Sequence, residues 1–106
     1  MQGIEKRVHP RVPLVTKVEA EAEGHSFLAV TQDVSSGGMR IATANPLALG
    51  AHLQLVFVLP GSERKIHVRA VVRHIIEGTA MGIQFLDISP EDKAALLEFL
   101  RTDSSP

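Results

Sequence analysis

Two apolar, strand-like runs are interrupted at the stretch Asp33-Val34-Ser35-Ser36-Gly37-Gly38. A continuous strand favours Val or Ile, whereas this stretch supplies a carboxylate, two hydroxyls and two glycines. Glycines at its end are typical of a tight turn between two strands. The basic segment Lys6-Arg7-Val8-His9-Pro10-Arg11 offers the opposite charge earlier in the chain. We therefore interpret these two stretches as the candidate functional site and the remaining residues as its scaffold.

The composition is that of one globular domain. The chain has 106 residues, 44% of them hydrophobic and 22% charged, and a formal net charge of -1. General nucleic-acid binders and anionic-membrane binders are usually basic, so the charge argues against both classes. The absence of cysteine excludes disulfides and thiolate metal sites. Because no apolar run reaches about 18 residues and the N-terminus lacks a signal-peptide core, we expect a cytoplasmic protein without membrane insertion.

Alternation of apolar and polar residues predicts six short strands. The alternation is clearest where every second residue is apolar, in residues 52–59 and 66–73. The predicted strands are residues 14–23, 27–32, 37–43, 52–59, 66–73 and 80–85. Because turn signals recur about every ten residues, the pattern favours an antiparallel barrel or sandwich.

A helix is predicted at the end of the chain. Ser89 is its N-cap, Pro90 stands at the first helical position, and Asp92 is placed to complete a capping box. An apolar stripe at helical spacing follows: Ala95, Leu96, Phe99 and Leu100. We expect this stripe to cover one open end of the barrel. The predicted domain is thus residues 13–102, with residues 103–106 as a frayed tail.

Residues 1–12 show no periodicity. Pro10 and Pro13 make the residue before each of them extended rather than helical. We interpret residues 1–12 as a flexible arm that carries Arg7 and Arg11. The alternative is a solvated basic tail.

Catalytic and metal sites are not indicated. The five histidines form no pair at the helical spacing of a metal site. Ser35 and Ser36 stand outside a G-x-S-x-G motif and lack a base with an orienting partner. Without a ligand, these serines would cap their turn through backbone hydrogen bonds. We therefore predict a protein that is not an enzyme and has no metal and no cofactor.

The two stretches suit a ligand with guanines and phosphates. The Asp33 carboxylate can accept two hydrogen bonds from the N1–H and N2–H₂ edge of guanine. Arg7 and Arg11 can donate in a fork to guanine O6 and N7 or to phosphates, and can stack on a purine. The glycine turn lets backbone amides approach a phosphate.

The same residues resemble the two motifs of the PilZ domain, the bacterial receptor module for cyclic di-GMP. R-x-x-x-R corresponds to Arg7 through Arg11, and [D/N]-x-S-x-x-G to Asp33 through Gly38. Met81-Gly82-Ile83-Gln84-Phe85 also resembles the family's final strand. The match covers roughly residues 5–100, as in a stand-alone single-domain form. The resemblance implies a mainly β fold, a six-stranded antiparallel barrel of the split-barrel type with a C-terminal α-helix packed on it.

The resemblance also implies roles for five residues. Arg7 and Arg11 would contact guanine faces and phosphates, and Asp33 would bind a guanine edge. Ser35 would meet a phosphate or a nearby base. Gly38 would permit the close turn.

Four further residues are candidate secondary contacts, namely Lys6, Ser36, Gly37 and Arg73. Arg73 is the nearest match to a position, late in the fifth strand, where relatives often place an aromatic on the ligand; a solvated charge is the alternative. Lys6 stands where many relatives have another Arg. Because Lys lacks the planar fork, binding of one or of two ligand molecules stays open.

The function implied by the resemblance is a cyclic di-GMP receptor or adaptor. Ligand binding would fold the arm, change the N-terminal surface and signal to an unidentified partner protein. One alternative is a PilZ-like protein-interaction scaffold that binds no nucleotide, with outward Val56, Val58 and Val71 as partner contacts. Another is a small-barrel binder of RNA or single-stranded DNA, against which stand the balanced charge and only four aromatic residues. The oligomeric state and the regulated process stay open.

Overall fold

The computed structural model describes residues 11–103. Predictions for Lys6, Arg7 and the remainder of residues 1–10, and for residues 104–106, lie outside this range. The described chain forms seven strands and then one helix. These elements are β1 (Val12–Pro13), β2 (Lys17–Ala22), β3 (His25–Val34), β4 (Gly38–Ala42), β5 (His52–Val58), β6 (Lys65–Ile76), β7 (Ala80–Ile88) and α1 (Pro90–Asp103).

Six of the strands form a closed antiparallel barrel. Their order is β3-β2-β5-β6-β7-β4, and pairing of β4 with β3 closes the sheet. The two-residue strand β1 adds to the outside of this ring by pairing with β3. The predicted six-stranded barrel with a C-terminal helix is therefore confirmed. The extra strand β1 escaped prediction because two residues, one of them proline, carry no periodic signal.

The barrel interior is filled by the residues that the alternation placed inward. In β5, Leu53, Leu55 and Phe57 are at most 2% exposed, and the inward residues of β6 are buried equally well. Val71 is an exception, since it was predicted to face outward but is buried. Register shifts between β6 and β7 flank it, and such bulges break the simple alternation of faces.

The helix begins as predicted but is anchored differently. The Asp92 amide donates to Ser89 Oγ at 3.1 Å, so the N-cap is confirmed. Asp92 does not close a capping box, because its carboxylate turns to the barrel. There Oδ1 accepts from Arg64 Nε at 2.8 Å and Oδ2 from the His67 amide at 3.0 Å.

The apolar stripe of α1 joins the core. Leu96 is fully buried and Leu100 nearly so, both within the cluster that fills the barrel. The helix ends at Asp103, the first residue of the segment expected to be frayed. Within residues 11–103, no helix is long and apolar enough to cross a membrane.

Candidate functional site

Asp33 lies in β3, not in a turn. The strand extends to Val34, two residues beyond the predicted end at Gln32. Asp33 pairs with Pro13 of β1 and Arg40 of β4, and a register shift separates it from Thr31. Such a bulge re-aims the side chains that follow it. The backbone of Asp33 therefore lies between β1 and β4, near the end of β3.

Two arginines flank the Asp33 carboxylate. Arg11 Nε lies 3.4 Å from Oδ1 and Arg40 Nε lies 3.9 Å from Oδ2. Oδ1 is nevertheless buried and has no hydrogen-bond partner among the described residues. A buried acceptor without a donor is costly and uncommon in folded proteins. Asp33 thus has a buried acceptor that is ion-paired with Arg11 but accepts no hydrogen bond from the described residues.

Ser35 caps the turn between β3 and β4. Its amide donates to the Gly38 carbonyl at 2.8 Å, and its hydroxyl donates to the same oxygen at 3.4 Å. The hydroxyl also accepts from the Gly37 amide at 3.2 Å. Ser35 is 3% exposed. The hydroxyl of Ser35 therefore caps the turn through hydrogen bonds to the backbone.

Gly38 is required by packing and not by the dihedral angles of the turn. Its φ lies outside the left-handed region that favours glycine. A Cβ at this position would stand 2.1 Å from the carbonyl oxygen of Ile83 in β7. The adjacent amide of Phe85 donates to the Gly37 carbonyl at 2.8 Å. Glycine at position 38 therefore permits close contact with β7, and its role at the ligand stays a prediction.

An open depression of about 300 Å³ lies beside this turn. It brings together five candidate residues: Arg11, Ser35, Gly37, Gly38 and Arg73. It also contains His74 and Gln84, which no sequence motif indicated as site residues. Arg73 Nε donates to Gln84 Oε1 at 2.6 Å, so its guanidinium is held at the wall of the depression.

The charge around the depression is positive although the whole chain is nearly neutral. Arg11 and Arg73 line it, and Arg40 stands behind Asp33. Guanidinium groups bind phosphates in forked geometry and stack on bases. In residues 11–103, no group of three His, Cys, Asp or Glu side chains could hold a metal ion. The arrangement suits an anionic ligand that also carries hydrogen-bond donors.

Comparison with known families supports the motif assignment. The family model of the PilZ domain matches residues 5–102. The chain belongs to the PilZ domain family. This match indicates a receptor or adaptor module and no catalytic family. No curated protein sequence matches the chain.

Solved structures with the same fold include other PilZ proteins. The inhibitor of motility (MotI/DgrA) of Bacillus subtilis has a TM-score of 0.81 and 28% identity over 93% of this chain and 51% of that one. The PilZ domain of YcgR from Escherichia coli with c-di-GMP has a TM-score of 0.70 and 21% identity, over 93% and 92% of the two chains.

The K. pneumonia MrkH–c-di-GMP complex has a TM-score of 0.75 and 21% identity, over 93% of this chain and 52% of that one. The chain therefore spans about half the length of the MotI/DgrA and MrkH chains. At identities near 20%, the likeness to YcgR and MrkH shows the shared fold alone.

Proposed function

We propose that this PilZ domain is a receptor for cyclic di-GMP. The observation that carries the proposal is the buried Oδ1 of Asp33, which accepts no hydrogen bond from the described residues and is ion-paired with Arg11 Nε at 3.4 Å. Arg11 in turn lines the depression beside the glycine turn. A carboxylate acceptor beside a cationic depression matches a ligand with guanine edges and phosphates.

The guanine edge would satisfy the acceptor that the fold leaves open. Its N1–H and N2–H₂ donate in parallel to the two oxygens of Asp33. This pairing releases Arg11 to bind a phosphate or to stack on the base. Arg73 has its Nε engaged by Gln84, and its two terminal nitrogens remain as donors for the ligand. Arg7 is included in the proposed site only because it belongs to the intact R-x-x-x-R motif.

Two structural neighbours support the choice of ligand. The YcgR PilZ domain and MrkH were both solved with c-di-GMP. This chain shares their fold and retains both family motifs. The proposal for this chain rests on the site geometry together with these motifs.

Calorimetry with cyclic di-GMP tests the proposal. We expect binding of about micromolar order for the unaltered protein. Asp33→Asn or Arg11→Ala should weaken binding about 30-fold or more, because each change removes a charged group that would form hydrogen bonds with the ligand. Cyclic di-AMP is the matched ligand control, since adenine lacks the N1–H and N2–H₂ donors that Asp33 would accept from.

Asp87→Asn and Arg69→Ala are matched protein controls. These two residues form an ion pair at 3.9 Å on β7 and β6, and neither lines the depression. Both variants should bind cyclic di-GMP like the unaltered protein. If the unaltered protein gives no heat at millimolar ligand, the receptor proposal is wrong and the protein-interaction scaffold is favoured. If poly-uridine binds as tightly, the nucleic-acid alternative is favoured.

We further propose that binding changes the N-terminal surface, which a partner protein then reads. Val12 already pairs with β3, so engagement of Arg7 and Arg11 would fix the remaining residues of the predicted arm, 1–11, against the barrel. Ordering such a segment costs several kcal/mol, so it requires a ligand with several charge-assisted contacts. Hydrogen exchange with and without cyclic di-GMP should show slower exchange in residues 1–11 of the complex. Equal exchange in both states would contradict this mechanism.

A further inference from the structure

The outer surface of β3, β2 and β5 exposes apolar side chains. Leu28 is 67% exposed and Val30 41% exposed, whereas the alternate residues Phe27 and Ala29 pack against the core. Two open depressions of about 310 and 390 Å³ run along this surface, and Leu28 lines both. Exposed apolar surface with a charged surround is typical of interaction sites.

Strand register orders the apolar part of this surface into two rows, beside a polar row of Glu21, Ser26 and Gln54. In the first row, Glu19 of β2 lies between Leu28 of β3 and Val56 of β5. In the second row, Lys17 of β2 pairs with Val30 of β3. Because the next residue, Val18, pairs with Phe57 of β5, Val58 lies on the other side of Lys17. Each row therefore has one charge between two apolar residues. We define the β2 face as the six residues Lys17, Glu19, Leu28, Val30, Val56 and Val58.

We propose that the β2 face binds a second copy of this chain in an isologous dimer. The two-fold axis would lie in the interface and cross β2 between Lys17 and Glu19. A rotation about this axis exchanges the two rows. Lys17 then faces Glu19 of the second copy, and the reciprocal pair forms by symmetry.

The same rotation matches the apolar residues. Leu28 meets Val30 of the second copy, and Val56 meets Val58 of the second copy. Every position on the β2 face thus meets a group of matching polarity or opposite charge. A partner of one charge sign would be repelled by either Lys17 or Glu19, whereas a second copy satisfies both.

The β2 face is separate from the candidate ligand site. None of its six residues lines the depression beside the glycine turn. The inference therefore stands independently of the proposed nucleotide function, and both surfaces can be occupied in the same molecule.

Charge exchange within the β2 face tests the dimer. Sedimentation equilibrium over a series of protein concentrations should show a monomer–dimer equilibrium. Lys17→Glu and Glu19→Lys should each raise the dimer dissociation constant about tenfold or more, because each places like charges together at both symmetric pairs. The double variant K17E/E19K should restore the dissociation constant to near that of the unaltered protein.

Leu28→Asp independently tests the apolar contacts of the proposed dimer, and it has a matched control. It should weaken the dimer, whereas Leu49→Asp should not, since Leu49 is equally exposed at 66% but lies outside the β2 face. Circular dichroism confirms that each variant is folded. Three results would overturn the proposal: a monomer at all concentrations, a dimer unaffected by the single charge changes, or a double variant no tighter than the single ones.

Discussion

Gly38 shows how one motif residue can serve the fold as well as the site. Alanine at this position would place its Cβ 2.1 Å from the Ile83 carbonyl oxygen, so β4 and β7 would have to separate. We predict that Gly38→Ala lowers the free energy of unfolding by about 3 kcal/mol. Gly82→Ala is the control in the same strand pair, because its Cβ meets only the His74 side chain at 3.4 Å.

Urea unfolding of both glycine variants measures this difference. We expect a large fall in the midpoint for Gly38→Ala and a small one for Gly82→Ala. Equal midpoints would show that the barrel accommodates a methyl group between the turn and β7. The requirement for glycine at position 38 would then have to be explained by ligand binding.

Gln84 is a positioning residue for Arg73. Its Oε1 accepts from Arg73 Nε at 2.6 Å, and its backbone pairs with Gly38. Gln84→Met keeps the side-chain length but removes the acceptor, so the Arg73 guanidinium loses its orientation. We predict that cyclic di-GMP binding weakens about five-fold, as expected for the loss of one hydrogen bond.

A double-mutant cycle with Arg73→Ala separates positioning from a general structural effect. If Gln84 acts through Arg73, the change Gln84→Met has little effect once Arg73 is absent. Gln54→Met on the exposed side of β5 is the matched control and should leave binding unchanged. Additive effects of the two changes would contradict the positioning role.

The site residues that could be selected from the sequence are chiefly those of the two short motifs. Asp33 and Ser35 belong to one short motif, and the structure places Arg11 beside Asp33. Arg40 and Gln84 were missed because their proximity depends on strand register. Asp33 meets Arg40 only through the β3–β4 pairing, and Gln84 meets Arg73 across β7 and β6. Register is set by contacts between strands, which local patterns do not contain.

At the scale of elements, Asp92 attaches α1 to the barrel. Burial by itself raises the pKa of this carboxyl, but the hydrogen bond from the His67 amide and the hydrogen bond and charge of Arg64 outweigh it. The pKa of Asp92 therefore lies below its ordinary value. Because the folded-state pKa is lowered, this stabilisation is present above about pH 3.9, the unfolded value, and disappears as pH falls through the folded pKa.

We predict that Asp92→Asn lowers the free energy of unfolding by about 2 kcal/mol at neutral pH, since two charge-assisted hydrogen bonds are weakened. The difference from the unaltered protein should shrink below about pH 3.9. Denaturant unfolding at several pH values measures this. Ser89→Ala is the control, because it removes the N-cap, and its cost of about 1 kcal/mol should not depend on pH. A pH-independent difference for Asp92→Asn would contradict the carboxylate anchor.

Elements with strict alternation were predictable, and irregular ones were not. β5 buries one complete face and β6 does so from Lys65 to Ala70, so their apolar periods specify these strands. The apolar periodicity of the sequence does not indicate two features, namely strand β1 and the bulge before Asp33. The contact of Asp92 with Arg64 could not be anticipated either. A capping box involves residues three apart, whereas Arg64 lies 28 residues before Asp92 in the chain.

At the scale of the whole molecule, the candidate site exists only when the barrel is closed. Arg11 and Asp33 come from the first third of the chain, whereas Arg73 and Gln84 lie on β6 and β7. Closure of β4 between β3 and β7 brings these parts together. The unfolded chain cannot present this arrangement, so a ligand of the site must bind the folded state preferentially.

Preferential binding predicts a ligand-dependent rise in thermal stability. Cyclic di-GMP at 100 times its dissociation constant should add about 2.7 kcal/mol to the free energy of unfolding. For a domain of this size, the Tm should rise by about 10 °C. Scanning calorimetry with and without ligand measures the shift, and Asp87→Asn should show it in full. Asp33→Asn should lose most of it at the same ligand concentration, because the guanine edge then meets an amide in place of a carboxylate. A full shift in Asp33→Asn would show that the ligand binds the barrel elsewhere.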